Sequence, residues 1–128
     1  MDKVQSLNTR ADLAVEAVAY IGFPKYGKIM VGDKALEFFN DKYVADNMQF
    51  PWASIRRVEG QVSKGGKIGR TFYIVLQNNN KIRFNSHDAG HILKLVREQI
   101  GNDKVVRIPS LGESFKKLAK RIFMRRGN

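Results

Sequence analysis

Residues Thr71 to Asn85 constrain the fold more than any other stretch. Phe72-Tyr73-Ile74-Val75-Leu76 is an unbroken run of aromatic, branched and aliphatic side chains, which suits a pleated, half-buried surface. Asn78-Asn79-Asn80 follows, and asparagine tolerates the left-handed backbone that tight turns use. Lys81 to Asn85 then alternates Ile82 and Phe84 against Lys81, Arg83 and Asn85, a period of two. A chain carrying this hairpin is expected to build an antiparallel sheet around it.

The same two signals recur upstream. Leu13, Val15, Ala17, Ala19 and Ile21 alternate with Asp12 and Glu16, which predicts a strand, although the alanines leave a helix open. Gly22 to Pro24 breaks that element. Lys28 to Val31 and Lys34 to Phe39 flank Gly32-Asp33, a hairpin signal if Gly32 takes positive φ as the first central residue. Asn40-Asp41 is the next turn, and the polar stretch to Gln49 reads as a loop or weak edge strand. Phe50-Pro51-Trp52 is a stiff join, because Pro51 fixes its own φ and restricts Phe50. Ser54 to Val62 is extended, with Ile55 and Val58 as core candidates, and Ser63 to Arg70 is a Gly-rich basic loop.

Helical signals come late. Ser86 is expected to cap a helix with Asp88 in its first turn, and Ile92, Leu93, Leu95, Val96 and Ile100 form its apolar stripe until Gly101-Asn102. Val105 to Ile108 is a short extended piece. After Pro109, Leu111, Phe115, Leu118 and Ile122 recur at helical spacing. This order predicts a mainly β, α+β protein: a small antiparallel barrel of pleckstrin-homology or GRAM type at residues 1–109 with one packing helix, then a basic amphipathic helical tail at 110–128. An OB-like barrel is the runner-up, though it would place its helix mid-chain.

At 128 residues the chain suits a single domain, and it contains no cysteine, so disulfide, thiol and cysteine-metal chemistry are excluded. No secretory signal is expected at the polar N-terminus, and no apolar run is long enough to span a bilayer. A cytoplasmic protein is expected, peripheral at the inner membrane face if its tail engages lipid. The net charge is +11, and Lys116, Lys117, Lys120, Arg121, Arg125 and Arg126 supply more than half of it in a stretch with no acid. Such a basic end points to nucleic acid, anionic lipid or an acidic protein face.

Signals of catalysis are poor. His87 and His91 would share a helix side and could bind metal, but surface histidines at a polar helix start explain them better. Adjacent Ser86-His87-Asp88 is no triad, since a triad is assembled in space. The 63–70 loop lacks the full phosphate-loop pattern; it reads as a flexible connection or as a loop that contacts anions through Lys64, Lys67 and Arg70. Phe38, Phe39, Phe72 and Tyr73 could stack bases, but core packing fits them better. Trp52 would cap the core or anchor a partner. The tail either lays Phe115 and Phe123 on a membrane or partner, each nearby cation adding roughly 1 kcal/mol at an anionic leaflet, or packs on the barrel. No catalytic residue, metal ligand or cofactor is assigned.

Five stretches carry a family resemblance in their order: Gln5-Ser6-Leu7-Asn8-Thr9, Tyr26-Gly27-Lys28-Ile29-Met30, Gly32-Asp33-Lys34-Ala35, Phe38-Phe39-Asn40-Asp41 and Pro51-Trp52. Together they resemble the ManO-like proteins, a small family of Gram-positive bacteria encoded beside genes of the mannose-class sugar phosphotransferase system. The resemblance covers the N-terminal half well, continues loosely through 71–100 and is weakest after Pro109. It implies a non-catalytic accessory or regulatory role in mannose or glucose uptake, with membrane-embedded transporter subunits as partners. It brings no catalytic residues and is compatible with a pleckstrin-homology-like fold. The alternative is a nucleic-acid-binding regulator of the sugar-uptake operon, which the charge permits without any helix-turn-helix signature.

Overall fold

The computed structural model describes residues 5–109. They form eight strands and one α-helix: β1 (Ala11–Ile21), β2 (Phe23–Gly32), β3 (Ala35–Asn40), β4 (Met48–Pro51), β5 (Ile55–Val62), β6 (Ile68–Leu76), β7 (Lys81–Asn85), α1 (Ala89–Ile100) and β8 (Val105–Arg107). The strands make one mixed sheet in the order β4-β3-β2-β1-β7-β6-β5-β8. Seven strands pair antiparallel, while β8 runs parallel to β5, with Val58 opposite Val105. The α+β, mainly β class expected from the sequence is therefore present, with β4 and β8 at the ends of an open sheet. The 110–128 tail, with Lys116, Lys117, Lys120, Arg121, Arg125, Arg126, Phe115 and Phe123, lies outside the described residues.

Two meanders join where β1 pairs with β7, Ala19 opposite Phe84. Side chains alternate across a strand, so the inner face collects Ala17, Ala19, Ile29, Val31, Phe38, Phe72, Ile74 and Phe84, all buried. Phe84 stacks on Phe72 at 5.6 Å between centroids and meets Phe38 at 5.8 Å. Phe38 is on β3, three strand spacings from β7, or roughly 14 Å along a flat sheet. Their contact requires a strongly curled sheet. Helix α1 covers the inside of the curl with Ala89, Ile92, Leu93 and Val96.

Several local expectations need correction. Gly22 alone turns β1 into β2, at φ +74°, and Phe23 and Pro24 are already strand residues. The basic loop is shorter than expected, because Ile68, Gly69 and Arg70 pair as strand and only residues 63–67 remain in the connection. Asn79 takes the left-handed backbone expected of the asparagine turn, at φ 71°. Ser86 is not the helix cap: Asp88 holds that position without a side-chain cap bond. The Ser86 hydroxyl instead donates to the Glu16 carbonyl at 2.7 Å and accepts from the Asp88 amide, tying the β7–α1 connection to β1.

Gly32 does not adopt positive φ. Its need for glycine is spatial, since a Cβ there would overlap the Asn8 side chain and the Arg10 carbonyl. The N-terminal arm crosses the β2–β3 turn at that point. Asn8 Oδ1 accepts from the amides of Lys34 (2.8 Å) and Ala35 (2.7 Å), and its Nδ2 donates to the Ala35 carbonyl (3.0 Å) and Glu37 Oε1 (2.8 Å). Glu37 is fully buried and also accepts from the Ser6 hydroxyl, the Leu7 amide (2.9 Å) and Gln49 Nε2 (2.7 Å). Four neutral donors thus satisfy a carboxylate that would be costly to bury alone. Asp33 accepts from the Thr9 hydroxyl and the Thr9 and Arg10 amides, and these bonds hold its carboxyl down at about 2. Trp52, half-buried against the core, donates its indole N–H to the Gly32 carbonyl at 3.2 Å, in keeping with a core-capping role. Most of the segments that carry the family resemblance meet in this polar staple.

Candidate functional site

Outward-facing residues of the second meander build the most distinctive surface. With Phe72, Ile74 and Phe84 turned inward, alternation sends Thr71, Tyr73 and Arg83 outward. The register sets Tyr73 and Tyr20 on either side of Arg83, and Glu59 beside Tyr73. The Arg83 guanidinium lies 4.5 Å from the centre of the Tyr20 ring, and Lys81 Nζ lies 5.3 Å from that of Tyr73, both within cation–π range. Glu59 is buried between Arg57 Nε at 2.9 Å and Lys81 Nζ at 2.8 Å. Burial alone would push the Glu59 carboxyl up; the two cations outweigh it and hold the group below its usual range.

Beside this row runs an open groove of about 600 Å³. Lys64, Arg83 and Arg107 contribute cations, Ser63 and Thr71 contribute hydroxyls, Tyr73 forms an aromatic wall, and among the described residues that line it none is a carboxylate. Lys64 comes from the β5–β6 connection, Arg83 from β7 and Arg107 from the end of β8. Parallel pairing of β8 with β5 puts Arg107 opposite Gly60, on the parity of Phe72 rather than of Tyr73, so it meets the groove at the end of the edge strand. Lys64 and Arg83, from two different elements, meet the Ser63 and Thr71 hydroxyls there, and such a set of donors suits an anionic group such as a phosphate or carboxylate.

A second cleft of about 330 Å³ opens between β1, β2 and the β7–α1 connection. Glu16 and Asp41 face it together with Arg70 and His87, so, unlike the groove, it carries acidic side chains. His87 precedes the helix, which starts at Ala89, so His87 and His91 do not form an i, i+4 pair on one helical face. Among the described residues no group of three His, Asp or Glu side chains could hold a metal, and no hydrogen bond joins either histidine to an acid.

The structure therefore separates the three loop cations expected to act together. Lys64 lines the basic groove, Arg70 lines the mixed cleft, and Lys67 lines neither. Arg83, Arg107 and Tyr73 were missed as site residues. Tyr73, expected in the core with Phe72, faces outward instead; Phe38 and Phe72 are the core members and Phe39 is half-buried. The alternation at 81–85 already put Arg83 off the apolar face and was the available signal. Nothing local marks Arg107, because its place depends on a parallel strand pairing across 47 positions of sequence.

Three comparisons bear on the chain. A family model described as a domain of unknown function (DUF956) matches residues 3–119. No curated protein matches. Among solved structures, the C-terminal domain of an unknown protein from Leishmania infantum is similar in fold, with a TM-score of 0.62. The match covers 71% of this chain and 84% of that one at 10% identity, a likeness of fold alone.

Proposed function

The chain belongs to the DUF956 family, and from that premise we propose that it is a non-catalytic docking protein, accessory or regulatory to the mannose-class sugar phosphotransferase transporter at the cytoplasmic membrane face. The groove carries the binding part of this reading: Lys64 and Arg83 meet the Ser63 and Thr71 hydroxyls along it, and among the described residues that line it none is a carboxylate. A face of that kind attracts acidic protein segments or lipid headgroups and disfavours cationic ones. The transporter as partner is supported by the ordered likeness to ManO-like proteins. The curled sheet with a helix following its seventh strand supports a barrel of pleckstrin-homology or GRAM type, an architecture suited to presenting such a face. Among the described residues no helix is long and apolar enough to cross a membrane, so attachment in this reading is peripheral.

Retention on membrane vesicles tests the proposal. Inverted vesicles from cells with and without the mannose-class transporter are incubated with the wild-type chain and with the K64E/R83E double variant. Retention is expected to depend on the transporter, to fall severalfold on charge reversal and to weaken as salt screens exposed charges. Equal retention with and without the transporter would remove the partner, and equal retention of both variants would remove the groove.

A further inference from the structure

Of the eight large hydrophobic residues exposed among the described residues, five lie at one end of the molecule: Ile21, Phe23, Tyr26, Tyr43 and Val44. Ile21 and Phe23 are directly opposed across the Gly22 turn, so their side chains stand together on one face. They continue the inward parity of Ala17, Ala19, Ile29 and Val31 but lie past the end of the core. Phe23 is therefore 83% exposed and Ile21 49%. On the β3 side pairing ends at Gly27 opposite Asn40, four residues or roughly 13 Å from the tip, with one further bond from the Asp41 amide to the Tyr26 carbonyl; on the other side β1 pairs with β7 as far as Tyr20 opposite Arg83.

We infer that this β1–β2 hairpin tip is a membrane-insertion point that sinks Ile21 and Phe23 into the interface of an anionic bilayer. The inference rests on the docking role proposed above and names where lipid would be touched. Lys25, Lys28, Lys42 and, opposite Tyr20, Arg83 stand behind the tip with three acids, Glu16 opposite Lys28, Asp41 and Asp46; the Lys25 ammonium is 3.3 Å from Asp46 and ties the β3–β4 loop to the hairpin. Tyr26 and Tyr43 flank a shallow hollow of about 300 Å³ beside it. Apolar residues outermost, tyrosines next and cations behind is the order of polarity across a bilayer interface. A protein partner fits less well. A stable protein interface takes roughly 800 Å² from each side, whereas a narrow hairpin end offers a few side chains, enough for reversible lipid anchoring when a chain of net charge +11 is drawn to an anionic surface.

The chain has no cysteine, so F23C and Q99C, the latter at an exposed position of α1, each introduce a unique thiol for an environment-sensitive dye. The intact chain is mixed with vesicles of phosphatidylglycerol and phosphatidylcholine, or of phosphatidylcholine alone. Sedimentation with the anionic vesicles is expected for the wild type, with about a tenfold or greater loss for I21S/F23S. Dye at position 23 should shift to the blue on binding while dye at position 99 does not. Sedimentation of I21S/F23S equal to wild type, with an unshifted dye at 23, overturns the insertion point and leaves the docking role standing. Retention on transporter membranes with none on pure lipid does the same and assigns the tip to protein. Failure of the wild type on both overturns the docking role as well.

Discussion

Replacing Asn8 with alanine should unfasten the N-terminal arm. The side chain makes four hydrogen bonds, to the Lys34 and Ala35 amides, the Ala35 carbonyl and Glu37. Each such bond contributes about 1 kcal/mol net, and a buried group left without its partner costs more. Water can replace Asn8 at the exposed Lys34 amide, but access to Ala35 and Glu37, both fully buried, is poor. The expected loss is about 2–4 kcal/mol, a large part of the roughly 5–15 kcal/mol that holds a domain together. Urea unfolding followed by Trp52 fluorescence reads it directly, because Trp52 is the chain's single tryptophan and is bonded to Gly32 under the arm. With a slope of about 1–3 kcal/mol per molar, the midpoint should fall by about 1–2 M. Asn8→Asp keeps the Oδ1 acceptor but turns an oxygen toward Glu37, so it should not restore stability at neutral pH. A midpoint within about 0.3 M of wild type for Asn8→Ala would refute the staple as a source of stability.

Two further outcomes test the same region. Asp33 has its carboxyl lowered from 3.8 to about 2 by the Thr9 hydroxyl first and then the Arg10 amide, so its contribution is complete above its ordinary value and disappears as pH falls toward 2. The melting-temperature difference between wild type and Asp33→Asn should be constant near neutrality and close on acidification across that interval; a gap that persists at pH 2 would contradict this. A Cβ at Gly27 would overlap the Phe39 carbonyl, a backbone atom that cannot swing aside, so Gly27→Ala should destabilise by about 1–3 kcal/mol in thermal or chemical denaturation. An unchanged midpoint would mean that β2 and β3 are not as close as the register implies.

The staple explains why the family-like segments are legible in the sequence yet hard to interpret from it. Ser6, Asn8, Thr9, Gly32 and Asp33 look like polar turn residues, and each invites a functional reading. In the fold they close a sheet edge around Glu37, whose burial no local pattern announces, since β3 buries Ala35, Leu36 and Phe38 as well and alternation marks neither face as the inner one. Trp52 is a similar case, ambiguous alone and committed to the Gly32 carbonyl once the arm, turn and edge strand meet.

By itself the sequence determined most of β2, β3, β5, β6 and β7, the helix stripe of Ile92, Leu93 and Val96, the turn at Asn79 and the absence of thiol chemistry, while it left a helix open at β1 and did not resolve β4 or the start of β6 at Ile68. These follow from side-chain period, backbone tolerance and residue type, all local properties. Only the tertiary structure decided that Arg83, Arg107 and Lys64 share a groove while Arg70 faces elsewhere, that Gly32 is needed for close approach, and that Ile21 and Phe23 emerge beyond the core. Those outcomes depend on register, on the parallel pairing of β8 with β5 and on how far each strand outruns its neighbour. Such relations hold between distant residues, and a local period cannot encode them.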